Sequence, residues 1–167
     1  MNYNLISKKT SELTRQQKLF ICKLKNQHWK FSLDEQKKWF LKNFKKMDIH
    51  NILIFKSKII GYTALRRKHC SINKKKTKFL LFDTLIINKK FRNQKLSNIL
   101  MIFNNYIIKK NKTFSFLVCK NNLVKFYEKH GWYKLKNKNF FTSNKKSYEN
   151  GMIFNKNNLE NKIKLFF

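Results

Sequence analysis

The sequence predicts one α/β domain, of the α+β kind, in which a mixed and mostly antiparallel central sheet has helices on both faces. Three observations lead to this prediction. Two short alternating runs near the middle read as a hairpin, a near-continuous apolar run follows them, and segments with helical spacing stand on either side. With 167 residues and 42% hydrophobic content, the chain can bury one sizeable core and is too short for two typical domains.

Two helices are predicted after a first strand at residues 2–7. Thr10 or Ser11 can cap the first helix, because a hydroxyl oxygen accepts a hydrogen bond from an unpaired amide of the first turn. Ser32 and Glu35 have the three-residue spacing of a capping box and open the second helix. The aromatic residues of both helices are core positions by default.

After the second helix, the spacing of apolar residues changes from helical to strand-like. The runs 51–55 and 59–67 are separated by a three-residue turn and predict a hairpin, in which Gly61 is tolerable at a bulge. The run 79–87 is almost entirely apolar, which is typical of a strand buried on both faces, and Asp83 stands in its middle. From residue 96 onward, apolar residues recur with the spacing of an amphipathic helix.

The remaining elements complete the sheet. Residues 113–119 predict another strand, and 122–131 a short helix that ends at Gly131. Residues 132–135 and 148–154 are the last predicted strands.

This order of elements fits one domain over residues 1–155, followed by a short C-terminal extension at 156–167. The sequence has no signal-peptide pattern and no apolar run long enough for a membrane span, so we expect a cytoplasmic protein without membrane contact. Either a monomer or a homodimer is compatible with the sequence.

The net charge of +31 comes from 39 basic and only eight acidic residues. Such an excess is typical of proteins that bind nucleic acid. However, the basic residues are almost all lysine and are scattered along the chain, whereas arginine is the usual reader of bases and phosphates. A compositional background and an anionic partner both explain the charge, and nucleic-acid binding is not favoured.

Cysteine spacing indicates no metal site. Cys22, Cys70 and Cys119 are far apart and belong to no CxxC or CxxH cluster.

Two segments carry the chemistry. FRNQKLSNIL, residues 91–100, lies between the buried strand and the amphipathic helix, where free helix amides and the positive end of the macrodipole attract a pyrophosphate. FYEKHGW, residues 126–132, places the phenol of Tyr127 just after a strand, where it can donate a proton.

Together these segments resemble the GNAT superfamily of acetyl-CoA-dependent N-acyltransferases. That family has a Q/R-x-x-G-x-G/A loop and a later helix with an F/L-Y-E-K-x-G-F/W signature. LVKFYEKHGW is similar to the corresponding segment of aminoglycoside and amino-sugar N-acyltransferases. The resemblance covers nearly the whole chain and implies a single GNAT-like domain.

The resemblance also implies the positions that contact acetyl-CoA. Lys95 stands where the loop pattern has its first glycine, Ser97 where it has the second, and Asn93 replaces a further common glycine. Asn122 lies beside the position of a family asparagine. The full implied set is Leu85, Ile86, Ile87, Arg92, Asn93, Gln94, Lys95, Leu96, Ser97 and Asn122.

The implied reaction is direct attack of a primary amine on the acetyl thioester in a ternary complex. Tyr127 is the implied general acid for the departing thiolate, and a core tyrosine is the alternative. Asp83 is the candidate base, and pairing with a lysine at the sheet surface is its alternative.

The expected acceptor is a small-molecule amine or amino sugar. An anionic acceptor fits the positive field better than a polycationic one. The competing hypothesis is a basic GNAT-fold protein with impaired catalysis that binds nucleic acid or the ribosome. The sequence shows no motif that names the acceptor.

Overall fold

A computed structural model describes residues 2–136, 140–142, 149–156 and 163–166. Its helices are α1 (Arg15–Asn26), α2 (Leu33–Asn43), α3 (Leu96–Lys110) and α4 (Val124–Glu128). Its strands are β1 (Asn4–Lys9), β2 (Ile49–Phe55), β3 (Lys58–Ile72), β4 (Lys75–Ile87), β5 (Ser115–Lys120), β6 (Tyr133–Lys134), β7 (Phe140–Thr142), β8 (Glu149–Phe154) and β9 (Ile163–Phe166). None of the described helices has both the length and the apolar character of a membrane span.

The chain forms two compact units. The first comprises Met1–Arg66 and Asp83–Asn104, and the second comprises Arg67–Phe82 and Asn105–Phe167. The strands β3 and β4 and the helix α3 contribute residues to both units.

In the first unit the strands follow the order β1-β2-β3-β4. β2 pairs with both β1 and β3 in antiparallel fashion, and the β2–β3 register shifts between Leu53 and Ile54. The shift lies opposite Gly61, where an added Cβ would come within 2.9 Å of Ile87 Cδ1. The predicted hairpin with a bulge near Gly61 is therefore confirmed.

Helices cover both faces of this unit's sheet. On one face, Ile21 of α1 and Phe40 of α2 pack in one buried cluster with Ile52 of the sheet. On the other face, Leu96 and Leu100 of α3 pack in a separate cluster that also contains sheet residues. The predicted α/β class, with helices on both faces of a mostly antiparallel sheet, is confirmed.

In the second unit β4 pairs with β5 in parallel, β8 pairs with β5 and β6 in antiparallel fashion, and β9 joins β3 to β7. Its core is rich in phenylalanine, with Phe79, Phe114, Phe116 and Phe140 buried in one cluster. Gly131 follows α4 with φ +77°, a left-handed conformation that glycine adopts without a steric cost. The predicted end of this helix is confirmed.

Several local predictions need correction. Thr14, and neither Thr10 nor Ser11, caps α1, because its hydroxyl accepts from the Gln17 amide at 3.1 Å. Thr10 and Ser11 instead belong to a 3-10 turn. The Ser32–Glu35 capping box is confirmed, with the Glu35 carboxylate accepting from the Ser32 amide at 2.8 Å.

The C-terminal strands differ in part from the prediction. β8 agrees with the predicted strand at 148–154, although its first position lies outside the described residues. β7 and β9 were not predicted, and β9 falls within the predicted extension. The boundary between 155 and 156 stays a prediction.

Candidate functional site

The loop between β4 and α3 keeps a glycine-type backbone without glycine. Asn93 has φ +64° and Lys95 has φ +56°, both in the left-handed region. Asparagine tolerates this region, whereas lysine there costs on the order of 1 kcal/mol. The two left-handed positions coincide with two of the three that the sequence pattern assigns to glycine.

The same loop concentrates positive charge at the start of α3. Lys89, Lys90, Arg92 and Lys95 lie within seven consecutive positions that contain no acidic residue, and all four are exposed. Arg92 Nε donates to the Ile87 carbonyl at 3.3 Å and so ties the loop to the end of β4. The first amides of α3 have no intrahelical acceptor, as at the start of any helix. The loop therefore offers amides and cations to an anion such as a pyrophosphate.

The end of β4 contributes backbone and not side chains. Ile86 is buried in the α1–α2 core, while Leu85 and Ile87 pack against the α3 core, as does buried Leu96. Across the part of the chain that the structure describes, the β4–β5 register comprises only the pairs of Leu80 and Leu81. The later backbone groups of β4 on that edge therefore have no β5 partner.

A cavity of about 450 Å³ lies in the first unit. This volume is in the range of small-molecule sites. Helices α1 and α2, the segment that joins them, and β4 supply its walls. The lining residues are Lys25, Trp29, Phe31, Glu35, Gln36, Trp39, Asp83 and Thr84.

Asp83 lines this cavity as one half of an ion pair. Arg66 Nη1 donates to Asp83 Oδ2 at 2.7 Å, and the Thr84 hydroxyl donates to Asp83 Oδ1 at 3.1 Å. The two charged side chains are only 12% and 16% exposed. The partner is thus a mostly buried arginine and not the surface lysine of the sequence-based alternative. The guanidinium thus engages one carboxylate oxygen, while a neutral hydroxyl donates to the other.

Lys25 is the charged residue that the sequence analysis missed. Its side chain is 4% exposed, and Nζ lies 3.4 Å from the centroid of the Trp39 ring. Burial lowers the pKa of Lys25 to about 8, against the opposing attraction of Asp83. The available signal was its place on the apolar stripe of α1, four residues after buried Ile21.

Tyr127 lies in the second unit, on α4. Its ring is 8% exposed and meets Phe82 and Trp132 at 6.1 Å between centroids. Burial, with a smaller contribution from Cys119, raises the pKa of Tyr127 well above the ordinary value of a phenol. No hydrogen-bond partner for its hydroxyl occurs among the described residues. The phenol is therefore a protonated group with an unused donor.

Asn122 is exposed in the 3-10 turn that precedes α4. Its neighbour Asn121 is the asparagine held in place, accepting from Asn150 Nδ2 at 3.3 Å. The predicted contact of Asn122 with the cofactor stays a prediction.

Several solved structures have a similar fold. Escherichia coli ElaA has a TM-score of 0.70 at 12% identity, over 91% of this chain and 99% of that chain. The chain has the fold of the GCN5-related N-acetyltransferases. An acyl-CoA N-acyltransferase from Pseudomonas aeruginosa has a TM-score of 0.69 at 13% identity, with 91% and 99% coverage. An aminoglycoside 6'-N-acetyltransferase complexed with coenzyme A has a TM-score of 0.63 at 10% identity, with 89% and 96% coverage.

The similarity to the GNAT fold comes from the comparison of structures, because the comparisons of sequence found no relative. No family model matches the sequence, and no curated protein matches it. Within the fold, the first unit brings together Asp83, the end of β4 and the cationic loop. The second unit contains Tyr127 and Asn122.

Proposed function

We propose that this protein is an N-acetyltransferase that uses acetyl-CoA and acetylates a primary amine of a small molecule. The observation that carries the proposal is the left-handed backbone at Asn93 and Lys95, directly before α3. Lys56, Lys74 and Lys112 have the same left-handed backbone in other turns of this chain, but Asn93 and Lys95 are distinguished by their place, because they occupy positions that the family pattern gives to glycine and lead directly to the first amides of a helix. The likeness in fold to proteins described as acyl-CoA N-acyltransferases supports the same conclusion.

Acetyl-CoA supplies an activated acetyl thioester. Arg92, Lys95 and the amides of Gln94, Leu96 and Ser97 would bind its phosphates, because charged and amide donors suit an anion. The backbone of residues 85–87 would lie along its pantetheine arm, since the facing edge of β4 lacks a strand partner.

Proton transfer falls to two groups in this proposal. Asp83 takes the proton of the acceptor amine through the oxygen that Arg66 does not engage, directly or through water. Tyr127 gives a proton to the departing thiolate, for which its buried neutral phenol and unused hydroxyl donor suit it.

The charges at the cavity help to decide whether the acceptor is an amino sugar or an aminoglycoside, as the sequence resemblance suggests. Lys25 and Arg66 bring two positive charges to the cavity region against the carboxylate of Asp83. Since the carboxylate of Glu35 also lines the cavity, these charges balance and offer a polycationic aminoglycoside no net attraction, so we propose a small amine of another class.

The competing hypothesis, a GNAT-fold protein that has lost catalysis and binds nucleic acid or the ribosome, gains no support. It rested on the missing glycines and the scattered lysines, and the loop keeps a left-handed backbone at Asn93 and Lys95 without glycine.

Thermal denaturation with acetyl-CoA tests the proposal. A ligand at 100 times its dissociation constant stabilises a protein by about 2.7 kcal/mol, so we expect a clear rise in melting temperature. Titration of released thiol with a panel of amines then measures turnover. Stabilisation by RNA without any by acetyl-CoA would overturn the proposal.

A further inference from the structure

Lys25 is buried at the cavity, and none of the described residues accepts a hydrogen bond from it. Lys25 is only 4% exposed and is one of the residues that line the cavity. Throughout the described ranges, no carboxylate, carbonyl or hydroxyl accepts a hydrogen bond from this ammonium. A buried ammonium with three unused donors is costly unless an acceptor reaches it. The cavity is the route by which such an acceptor can arrive.

The aromatic contacts of Lys25 do not replace this acceptor. The Trp39 ring lies 3.4 Å and the Trp29 ring 5.6 Å from Nζ, measured to the ring centroids. A ring face attracts the charge but accepts no strong hydrogen bond. The donors of Lys25 that point away from Trp39 therefore remain available to an anion.

The rest of the lining favours an apolar body on the ligand. Trp29 and Phe31 are 37% and 58% exposed, which is high for such large apolar side chains, and both line the cavity. Together with Trp39 they form an aromatic wall. An aromatic or large aliphatic group would cover this wall, and the burial of apolar surface on both sides would favour binding.

The charges of the cavity have opposite signs. Lys25 provides a cation, and Asp83, held by Arg66 and Thr84, provides a carboxylate. The other acid of the lining, Glu35, is engaged in the capping box of α2 through its bond to the Ser32 amide. A ligand that satisfies both charges carries an amine and an anionic group.

We propose that the cavity binds an acceptor amine that carries a carboxylate on an aromatic or large apolar body, and that Lys25 binds this carboxylate. An aromatic amino acid is the simplest molecule of this class. The identification of the ligand as the acceptor rests on the proposed function, whereas its binding in the cavity does not. Lys25 is thus a specificity-determining residue, and Asp83 faces the amine end.

Binding of small molecules to the protein without acetyl-CoA tests this inference. The matched probes are phenylalanine and phenethylamine, which differ by the carboxylate alone. One charge-assisted hydrogen bond to Lys25 predicts that phenylalanine binds about tenfold or more tightly than phenethylamine. Equal affinity for the two probes, or no measurable binding of phenylalanine, would overturn the proposal.

Substitutions on α1 assign the preference to Lys25. We expect Lys25→Met to abolish the preference and Lys25→Arg to retain most of it. Lys23→Met is the matched control, because Lys23 lies on the exposed side of the same helix and should leave the preference intact. Equal effects of the two methionine variants would contradict a specific role for Lys25.

A third probe tests the charge of Lys25 through the pH dependence of binding. 3-Phenylpropionate has a carboxylate but no amine, so its own charge is constant above neutral pH. Its affinity for the wild-type protein should fall as the pH rises past about 8, where Lys25 loses its charge. The charged or titratable groups near Lys25 are Asp83, Arg66, Glu35 of the cavity lining and the Cys22 thiol, whose pKa is raised by burial. The thiol is the group to be excluded as the source of the profile. A Cys22→Ser variant with the same profile excludes it, and a flat profile would overturn the proposal.

This design separates the two proposals. If phenylalanine binds with the expected preference but no thiol is released from acetyl-CoA, the acetyltransferase proposal is wrong and the binding inference holds. If thiol is released with other amines and the carboxylate gives no preference, the binding inference is wrong and the acetyltransferase proposal holds.

Discussion

The Arg66 guanidinium donates to the Asp83 carboxylate at 2.7 Å, and both side chains are mostly buried. Arg66 Nε is buried as well and has no hydrogen-bond partner in the described part of the chain. The pair therefore rests on a single charged contact on the guanidinium side. Loss of the carboxylate would leave a buried cation in a protein that already carries a net charge of +31.

We expect Asp83→Asn to lower the free energy of unfolding by about 3 kcal/mol, because it leaves Arg66 buried and unpaired. The shape of the side chain is nearly unchanged, so the loss reports on charge. Urea denaturation of the variant measures it.

The double variant Asp83→Asn with Arg66→Met is the control for this prediction. It removes the stranded cation and should recover much of the lost stability. A double variant as unstable as the single one would show that the pair is not the cause.

Lys95 and Lys74 share a left-handed backbone at different places. Lys95 has φ +56° in the loop before α3, and Lys74 has φ +64° in the turn between β3 and β4. Both are exposed. Substitution by glycine removes the same charge and relieves the same strain at each, so either change should stabilise the protein by up to about 1 kcal/mol.

The affinity for coenzyme A distinguishes the Lys95→Gly variant from the Lys74→Gly variant. The loop already has its left-handed conformation, so glycine at 95 adds no preorganisation, and the lost charge-assisted bond should weaken coenzyme A binding about tenfold. Lys74→Gly should leave this affinity unchanged. Isothermal titration compares the two, and an unchanged or tighter affinity in Lys95→Gly would show that Lys95 does not bind the phosphates.

The sequence predicted the elements whose signal is local and periodic. β4 and α3 have unbroken apolar patterns, so their type and approximate bounds follow from burial alone. β9 has no such pattern to identify it and depends on pairing with β3, a partner about ninety positions earlier in the chain. Thr10 was a good cap by residue type, but its hydroxyl bonds the buried His50 ring at 2.8 Å.

The candidate site was also predicted only in part. The place of the cationic loop followed from the order of strand, loop and helix. Its backbone conformation did not, because lysine at positive φ has no signature in residue type. Lys25 was missed since a single lysine on an apolar stripe is ordinarily a side chain that reaches water along its hydrocarbon stem. Only the packing of Trp39 over its Nζ shows that it does not.

Tyr127 has an unused hydroxyl in a buried setting, and its removal should separate catalysis from folding. We expect Tyr127→Phe to lower kcat by about a hundredfold or more, since it deletes the proton donor. The melting temperature should not fall, because the hydroxyl has no partner to lose within the described structure. Steady-state kinetics and thermal denaturation measure the two effects.

Tyr133→Phe is the matched control for that variant, because Tyr133 is 59% exposed on β6 and should keep full activity. Equal losses in both variants, or full activity in Tyr127→Phe, would remove Tyr127 from the mechanism.

His50 makes the stability of the fold depend on pH. Its ring is fully buried and lies 2.8 Å from Thr10 Oγ1 and 2.7 Å from the Tyr62 hydroxyl. Burial, with smaller contributions from Lys18 and Lys25, lowers the pKa of His50 to about 3. The folded protein therefore holds a neutral ring in a range where the unfolded chain, with a pKa of about 6.5, takes up a proton.

Since the unfolded state binds more protons below about pH 6.5, the free energy of unfolding should fall as the pH falls, by about 1.4 kcal/mol per unit. Urea denaturation between about pH 6 and pH 5, above most carboxylate titration, isolates this slope. We expect His50→Gln to reduce this slope by about 1.4 kcal/mol per pH unit, the contribution of one proton. His69→Gln, at an exposed position of β3, should keep the wild-type slope. The same slope in all three proteins would show that His50 becomes protonated without unfolding.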